Sequence, residues 1–339
     1  MMNKFFSCLL AVTVSLSIMT PTWAAAATIN PDETIRVVGT EQNSEDVKSI
    51  LSLIQELMDA SNNHDLPGVL KNFSPRFVSG DNLSLQDVKN LIEDTWKTYP
   101  DIKYETKTLE IRINGDWATV ESIDTAIATA KSDDGNPDNI GTLQSKSRGL
   151  LFLRRLSRSW EIQSDYTIYE QAKIAYGKAK NLDIILSTPD QVFAGESYTA
   201  RVDIDVASGN VAIASITNNP LIYPQPKPEE KFRTMTDRQA DLERVFEANS
   251  ANKNEIVTAT IGITEIGQGS SEHPTITLNG VATIVKRVNV LPVSQSKDGQ
   301  DPTKLVKKSA NGKLDYTQEP KAEADANKSD GDIEDKDQG

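Results

Sequence analysis

The chain has 339 residues, 37% of them hydrophobic, with 36 basic against 49 acidic side chains, a formal net charge of −13. That balance argues against nucleic acid and anionic lipid as partners, because both carry the same sign of charge. A single Cys excludes an internal disulfide framework, and the two His, His64 and His273, are too few for a histidine-based zinc site.

The N-terminus has the layout of an export signal. Lys4 is the only charged residue before Asp32, and Phe5 to Met19 is apolar apart from small hydroxyl residues and Cys8. Pro21 breaks a helix, and Thr22-Trp23-Ala24-Ala25-Ala26-Ala27 offers small residues for cleavage after Ala24, Ala26 or Ala27. The apolar stretch is shorter than the ~20 residues that span a bilayer, which argues against an uncleaved anchor. Cys8 lies near the start of the apolar core rather than after it, which is not the position of a lipidated Cys. Residues 1–27 are therefore expected to be a signal peptide. The mature protein is expected outside the cytoplasm, periplasmic or secreted, with no membrane span. Cleavage removes Cys8 and Lys4, so 36 − 1 = 35 basic residues face 49 acidic ones, a net −14.

Residues 28–43 are polar and read as a linker. Ser44, followed by Glu45 and Asp46, starts a helix. Val47, Ile50, Leu51, Ile54, Leu57 and Met58 recur at helical spacing along it. Asp65 caps a short second helix carrying Leu66, Val69, Leu70 and Phe73, stopped by Pro75. Ser84 caps a third, carrying Leu85, Val88, Leu91, Ile92 and Trp96, with Pro100 beyond its end.

Strands follow. Ile102 to Ile113 and Trp117 to Ala130 flank Asn114-Gly115-Asp116, a hairpin signal. A loop of Asn114-Gly115 would pair Ile111 with Ala118 and Leu109 with Val120. Beyond Ser122 the pattern changes sides, and Ile123 and Ile127 would share a face with Tyr104 and Ile102. Either a bulge restores the pattern or the second face is covered as well. Gly149 to Arg155 contains the run Leu150-Leu151-Phe152-Leu153, whose continuous apolarity suggests burial on both faces. Trp160 to Tyr169 alternates through Trp160, Ile162, Tyr166 and Ile168.

Helices followed by a long bent antiparallel sheet make an α+β layout. Three passages carry a resemblance. They are Asn62-Asn63-His64-Asp65-Leu66-Pro67-Gly68 running into Phe73-Ser74-Pro75-Arg76-Phe77-Val78, then Ile113-Asn114-Gly115-Asp116-Trp117-Ala118-Thr119-Val120, then Leu151-Phe152-Leu153-Arg154-Arg155 with Ser159-Trp160-Glu161-Ile162. Together they resemble nuclear-transport-factor-2-like (SnoaL-like) domains over about residues 44–175. The resemblance implies a cone-like sheet wrapped around a pocket by helices. Some members of that family are isomerases or hydrolases, and many only bind ligands or partners.

Isomerases of that fold use a pocket carboxylate as base and hydroxyl donors for an oxyanion. The corresponding candidates are Asp124, Tyr166 and Tyr104, all on expected strands. A solvated Asp124 and core tyrosines are the plainer expectation. Asp81, after Phe77-Val78-Ser79-Gly80, reads as part of a Gly-Asp-Asn turn. Asp133-Asp134-Gly135-Asn136-Pro137-Asp138-Asn139 lacks the spacing of a calcium loop and reads as a solvated hairpin loop. Gly267-Gln268-Gly269-Ser270-Ser271 is not a nucleophile elbow. No cofactor or metal is expected. Arg148, Arg154, Arg155 and Arg158 form the one basic cluster and are expected to pair within the protein or at an interface.

Leu182 to Ser187, Ser197 to Val206, Val211 to Thr217, Glu255 to Thr264 and Thr275 to Val290 read as strands. Ala207-Ser208-Gly209-Asn210 reads as a turn, and Asn279-Gly280 as a second one dividing the last stretch. Asp237 to Asn249 suits a helix or a strand. Pro220, Pro224, Pro226 and Pro228 suggest a stiff exposed loop. Val192-Phe193-Ala194-Gly195-Glu196-Ser197-Tyr198 resembles the strand entry of immunoglobulin-like domains. The expected order is signal 1–27, linker 28–43, α+β domain 44–178, β-sandwich 181–292 and an acidic, disordered tail 293–339. The leading functional expectation is an exported, non-enzymatic binding protein. It would hold a small apolar ligand, and would meet a protein partner or a second copy through the first sheet's face. The alternative is a small-molecule isomerase or hydrolase.

Overall fold

Three side-chain oxygens start three helices. In the computed structural model, Ser44 Oγ accepts from the Val47 N–H at 3.3 Å, opening α1 (Glu45–Asn62). Asp65 accepts from the Gly68 N–H at 3.1 Å and opens α2 (Leu66–Leu70). Ser84 and Asp87 cap each other's backbone in a reciprocal box that opens α3 (Leu85–Thr98). The structure describes residues 34–131, 140–157, 159–205, 210–226, 228–235, 239–266 and 276–293. The expected signal peptide, Asp133–Asn139, Arg158, the 207–209 part of the expected turn, Gly267–Ser271, His273 and the tail from 294 lie outside them. The elements described here lie within one compact unit ending at Pro292. No described helix is long and apolar enough to cross a membrane.

The strands are β1 (Arg36–Val38), β2 (Lys103–Asn114), β3 (Trp117–Lys131), β4 (Ile140–Leu156), β5 (Ser159–Gly177), β6 (Ile184–Ser187), β7 (Gln191–Phe193), β8 (Ser197–Asp205), β9 (Asn210–Pro220), β10 (Arg233–Met235), β11 (Gln239–Glu247), β12 (Glu255–Ile266) and β13 (Ile276–Leu291). A mixed ten-stranded sheet runs β1-β2-β3-β4-β5-β13-β12-β9-β10, with β7 pairing beside β13. A second sheet is β11-β8-β6. The architecture is α+β. The large sheet crosses position 178 without a break, because β5 pairs with β13 from Gln171↔Lys286 to Gly177↔Gly280.

The first hairpin differs from the expected register. Asn114 pairs with Trp117, so the loop is Gly115-Asp116, with Gly115 at φ +60°. Ile113 then meets Ala118, and Ile111 meets Val120. Leu109 drops out of the ladder at a bulge between Thr108 and Glu110. The expected bulge exists, but it lies on β2 rather than β3. It keeps Tyr104 on the same face as Ile111, opposite Ala126. Ile127 therefore points to the other face and is 58% exposed, so it does not share a face with Tyr104 as expected.

The two ends of the large sheet are covered on opposite faces. α1 and α3 cover one face of β2–β5, in cores containing Ile50, Leu57, Ile111, Val120 and Leu153, and Met58, Tyr104, Leu143 and Ile174. Ala175 follows Ile174 and points the other way, into a third core with Tyr198, Ala200 and Val202 of β8 and Ile261 of β12. The small sheet thus lies on the face that the helices leave open.

Three further expectations change. Residues 239–247 are a strand paired along β8, from Gln239↔Asp205 to Glu247↔Ser197. Asn279-Gly280 is a bulge inside one continuous strand, since Ile263 pairs with Gly280 and Thr264 with Leu278. A Cβ at Gly280 would stand 2.5 Å from the Ala179 nitrogen, so only glycine fits where the β5–β6 connection passes. The proline loop is not simply exposed. Tyr223 donates to Asp94 of α3 at 2.9 Å, and Leu221 packs beside the Tyr104 core.

Candidate functional site

A polar row crosses the helix-covered face of the sheet. Thr106 stands opposite Asp124, Asp124 opposite Ser147, and Ser147 opposite Glu170. Arg287 of β13 extends the row, with its guanidinium 3.5 Å from Glu170. The apolar cores of Ile111 and Tyr104 lie on either side of this row.

Above the row lies a cavity of about 70 Å³. Ile54, Leu57 and Ser61 of α1, with Val69 and Phe73, form its helical side. Thr106, Ser122, Asp124, Ser147, Asp165 and Thr167 line its sheet side. Two bulges in β4–β5 pairing, at Arg148/Gly149 and Phe152/Leu153, bend the sheet and set Asp165 opposite Leu151.

Asp124 accepts from Thr106 Oγ1 at 2.5 Å and from Ser122 Oγ at 3.0 Å. Burial raises its carboxyl above the ordinary range, and the two hydroxyl donors oppose that rise. Asp165 accepts from the Gly80 N–H at 3.1 Å. Burial pushes its carboxyl up to about 6, the Gly80 hydrogen bond opposes this, and the neighbouring Asp81 charge adds to it.

Beside the cavity is a nearly dry ionic cluster. The Arg287 side chain is 2% exposed and binds both Asp81 oxygens, at 2.9 and 2.5 Å. It also donates to Asn289 at 2.7 Å, while Asn254 donates to Asp81 at 2.7 Å. Burial pushes Glu170 up to about 7, against the pull of Arg287. Burial works against the Arg287 charge, but Asp81 and Glu170 outweigh it and hold the guanidinium above its ordinary value.

The sequence candidates separate in space. Asp124 and Tyr166 border the same cavity. Tyr166 stands opposite Leu150, on the alternate side of β5 from Asp165. Tyr104 lies in the neighbouring core, where its hydroxyl accepts from Trp96 Nε1 at 3.2 Å. His64 stacks on Trp96 with ring centroids 4.7 Å apart, and burial lowers its pKa. Asp81 does occupy a turn, with Asn82 at φ +61°, and it also clamps Arg287.

Asp165, Glu170 and Arg287 were not singled out from the sequence. Nothing local marked them, since β5 also carries Glu161, Gln163 and Lys173, and β13 carries Lys286 and Asn289. The described members of the basic cluster make internal contacts. Arg148 pairs with Glu121, Arg154 lies over the Trp117 ring at 5.5 Å, and Arg155 bridges Asp46 at 2.8 Å and Asp116 at 3.2 Å. Among the described residues, no group of three or more His, Cys, Asp or Glu could hold a metal ion.

No family model matches the chain, and no curated protein does. Solved structures similar to it include nuclear-transport-factor-2-like proteins. A nuclear-transport-factor-2-like superfamily protein of Salmonella enterica is 18% identical over 35% of this chain and 87% of its own, with a TM-score of 0.29. A conserved protein of Planctomyces limnophilus is 15% identical over 35% of this chain and 92% of its own, with a TM-score of 0.30. A hexachlorocyclohexane dehydrochlorinase of Novosphingobium barchaimii is 9% identical over 35% of this chain and 83% of its own, with a TM-score of 0.30. These likenesses are partial and weak, and no chemistry follows from them.

Proposed function

We propose that this is an exported binding protein, acting in the periplasm or beyond, whose inner cavity holds a small hydrogen-bonding group without transforming it. The observation that carries this reading is the cavity itself. It is about 70 Å³, has an apolar helical roof, and has Asp124, Ser122, Ser147 and Thr167 on its sheet side. That is room for a few atoms, below the ~300–1,000 Å³ of typical small-molecule clefts. In this reading the bent sheet is one wall of a cone-like cup, and residues 181–292, which continue that sheet through β13, are an immunoglobulin-like module. The export pattern at residues 1–27 supports the location. Native mass spectrometry of the exported protein is the test. A retained small molecule that Asp124→Ala loses is the expected result, and an empty cavity in the exported protein would sink the reading.

The second reading is acid–base catalysis on a small substrate. It rests on Asp165, a cavity carboxyl held at about 6, near the working pH of a general acid or base. Exchange of α-protons of small ketones into deuterated water, followed by NMR, separates the two readings. Catalysed exchange abolished by Asp124→Asn or Asp165→Asn would favour the enzyme.

We also propose that the outer sheet face meets a protein partner or a second copy. Trp117 there is 53% exposed, and Leu150 and Phe152 are only partly buried among the described residues. Leu151 faces the inner cavity, so the outer-face probe is Phe152→Asp. An unchanged oligomeric state in that variant, with no partner lost, would count against the proposal.

A further inference from the structure

The larger cavity lies on the other face of the sheet, at its helix-free side. It has a volume of about 460 Å³. Its floor is set by cross-strand register: Thr125, Lys146 and Gln171 stand in one row, and Ile127, Gln144 and Lys173 in the next. Asp183, Ile184 and Ile185 at the start of β6 form the facing wall, and Tyr169 closes one end. The volume falls within the ~300–1,000 Å³ of small-molecule clefts.

The charges in this groove are unequally used. Lys173 is buried and donates to the Leu182 carbonyl at 2.9 Å. Lys286, over the Tyr169 ring, pairs with Asp190 at 3.2 Å and donates to the Thr188 carbonyl at 3.0 Å. Asp183 is the acidic group of the lining, and its charge acts on Lys173. Lys146 also lines the groove, partly buried, and its ammonium makes no ion pair or hydrogen bond to any described residue. An ammonium group in a groove, with no counter-charge paired to it, invites an anion. Tyr169 donates to Gln171 Oε1 at 2.7 Å, which orients that amide and leaves its NH2 end for an acceptor. Apolar side chains face each other across the groove: Ile127 is 58% exposed and Ile185 42% exposed.

We propose that this groove is a ligand site for an aliphatic carboxylate, with its single anionic head on Lys146 and the Gln171 amide and its chain between Ile127 and Ile185. One unpaired cation and one amide donor match a monoanion, not a polyphosphate. The protein is otherwise strongly acidic, so a local positive site is selective for an anion that also carries apolar surface. The site is distinct from the inner cavity, from which the sheet separates it. It stands whether or not the inner cavity binds or catalyses anything.

The test is calorimetric titration of the mature full chain with sodium decanoate below its micelle concentration, with decanol and decyltrimethylammonium as controls. Decanoate is expected to bind one to one. Lys146→Gln should weaken it about tenfold or more, the loss of one charge-assisted hydrogen bond. Ile185→Ser should weaken it through loss of apolar contact with the chain, with circular dichroism confirming that each variant is folded. Three outcomes overturn the proposal: no decanoate binding, binding of decanol or the ammonium compound as tight as decanoate, or unchanged affinity in Lys146→Gln.

Discussion

Asp81 and Arg287 are 206 residues apart in the chain and joined by two hydrogen bonds, at 2.9 and 2.5 Å. One sits in the turn before α3, the other in the last strand of the large sheet. Their side chains are 17% and 2% exposed, so the pair ties the turn before α3 to β13 away from bulk water. Removing Arg287 alone leaves Asp81 without its cation and Glu170 without its counter-charge. Arg287→Leu is expected to cost about 3–5 kcal/mol, measured by urea unfolding. A loss below 1 kcal/mol would mean that the pair does not hold the two halves.

The same cluster sets a pH dependence. Asp165 and Glu170 are raised from 3.8 to about 6 and from 4.5 to about 7. Between the unfolded and folded values the native state binds more protons than the unfolded chain, so stability falls as pH rises through that window. Melting temperature is therefore expected to be higher at pH 5 than at pH 8. Glu170→Gln should flatten the slope across its upper part. A melting temperature that rises from pH 5 to pH 8 would contradict these assignments.

Thr106 and Ser122 donate to Asp124 within the row and oppose the burial that raises its carboxyl. Thr106→Val removes the closer donor and is expected to raise the Asp124 pKa further, with a stability loss of about 1–3 kcal/mol at neutral pH. Carboxyl carbon NMR titration of Asp124 reads the shift directly. A pKa that falls or stays fixed would show that the hydroxyl does not support the charge.

Ser84 serves α3 through its hydroxyl, with Asp87 returning the bond to the Ser84 backbone. Ser84→Ala is expected to cost about 0.5–2 kcal/mol in thermal or urea unfolding. Since α3 carries Trp96 and Asp94, which contact Tyr104 and Tyr223, loss of the cap should also loosen hydrogen-exchange protection there.

The helices were readable because their signals are local. A hydroxyl or carboxylate at the cap and apolar residues at helical spacing lie within a few turns of each other, and Ser44, Asp65 and Ser84 each start a helix. The sheet was harder. The bulge at Leu109 inverts the outward and inward positions of everything before it on β2, and a one-residue slip looks identical in sequence. Asp124 could be named from its strand, but its enclosure depends on that bulge.

By itself the sequence determined the acidic charge, the three capped helices and the strand-rich remainder, because each rests on composition or short-range periodicity. Only the tertiary structure decided which polar residues share a site. The row of Thr106, Asp124, Ser147, Glu170 and Arg287 takes its members from five strands, and the Lys146 groove takes its walls from four. Strand register and sheet curvature bring them together, and both arise from packing between segments far apart in the chain.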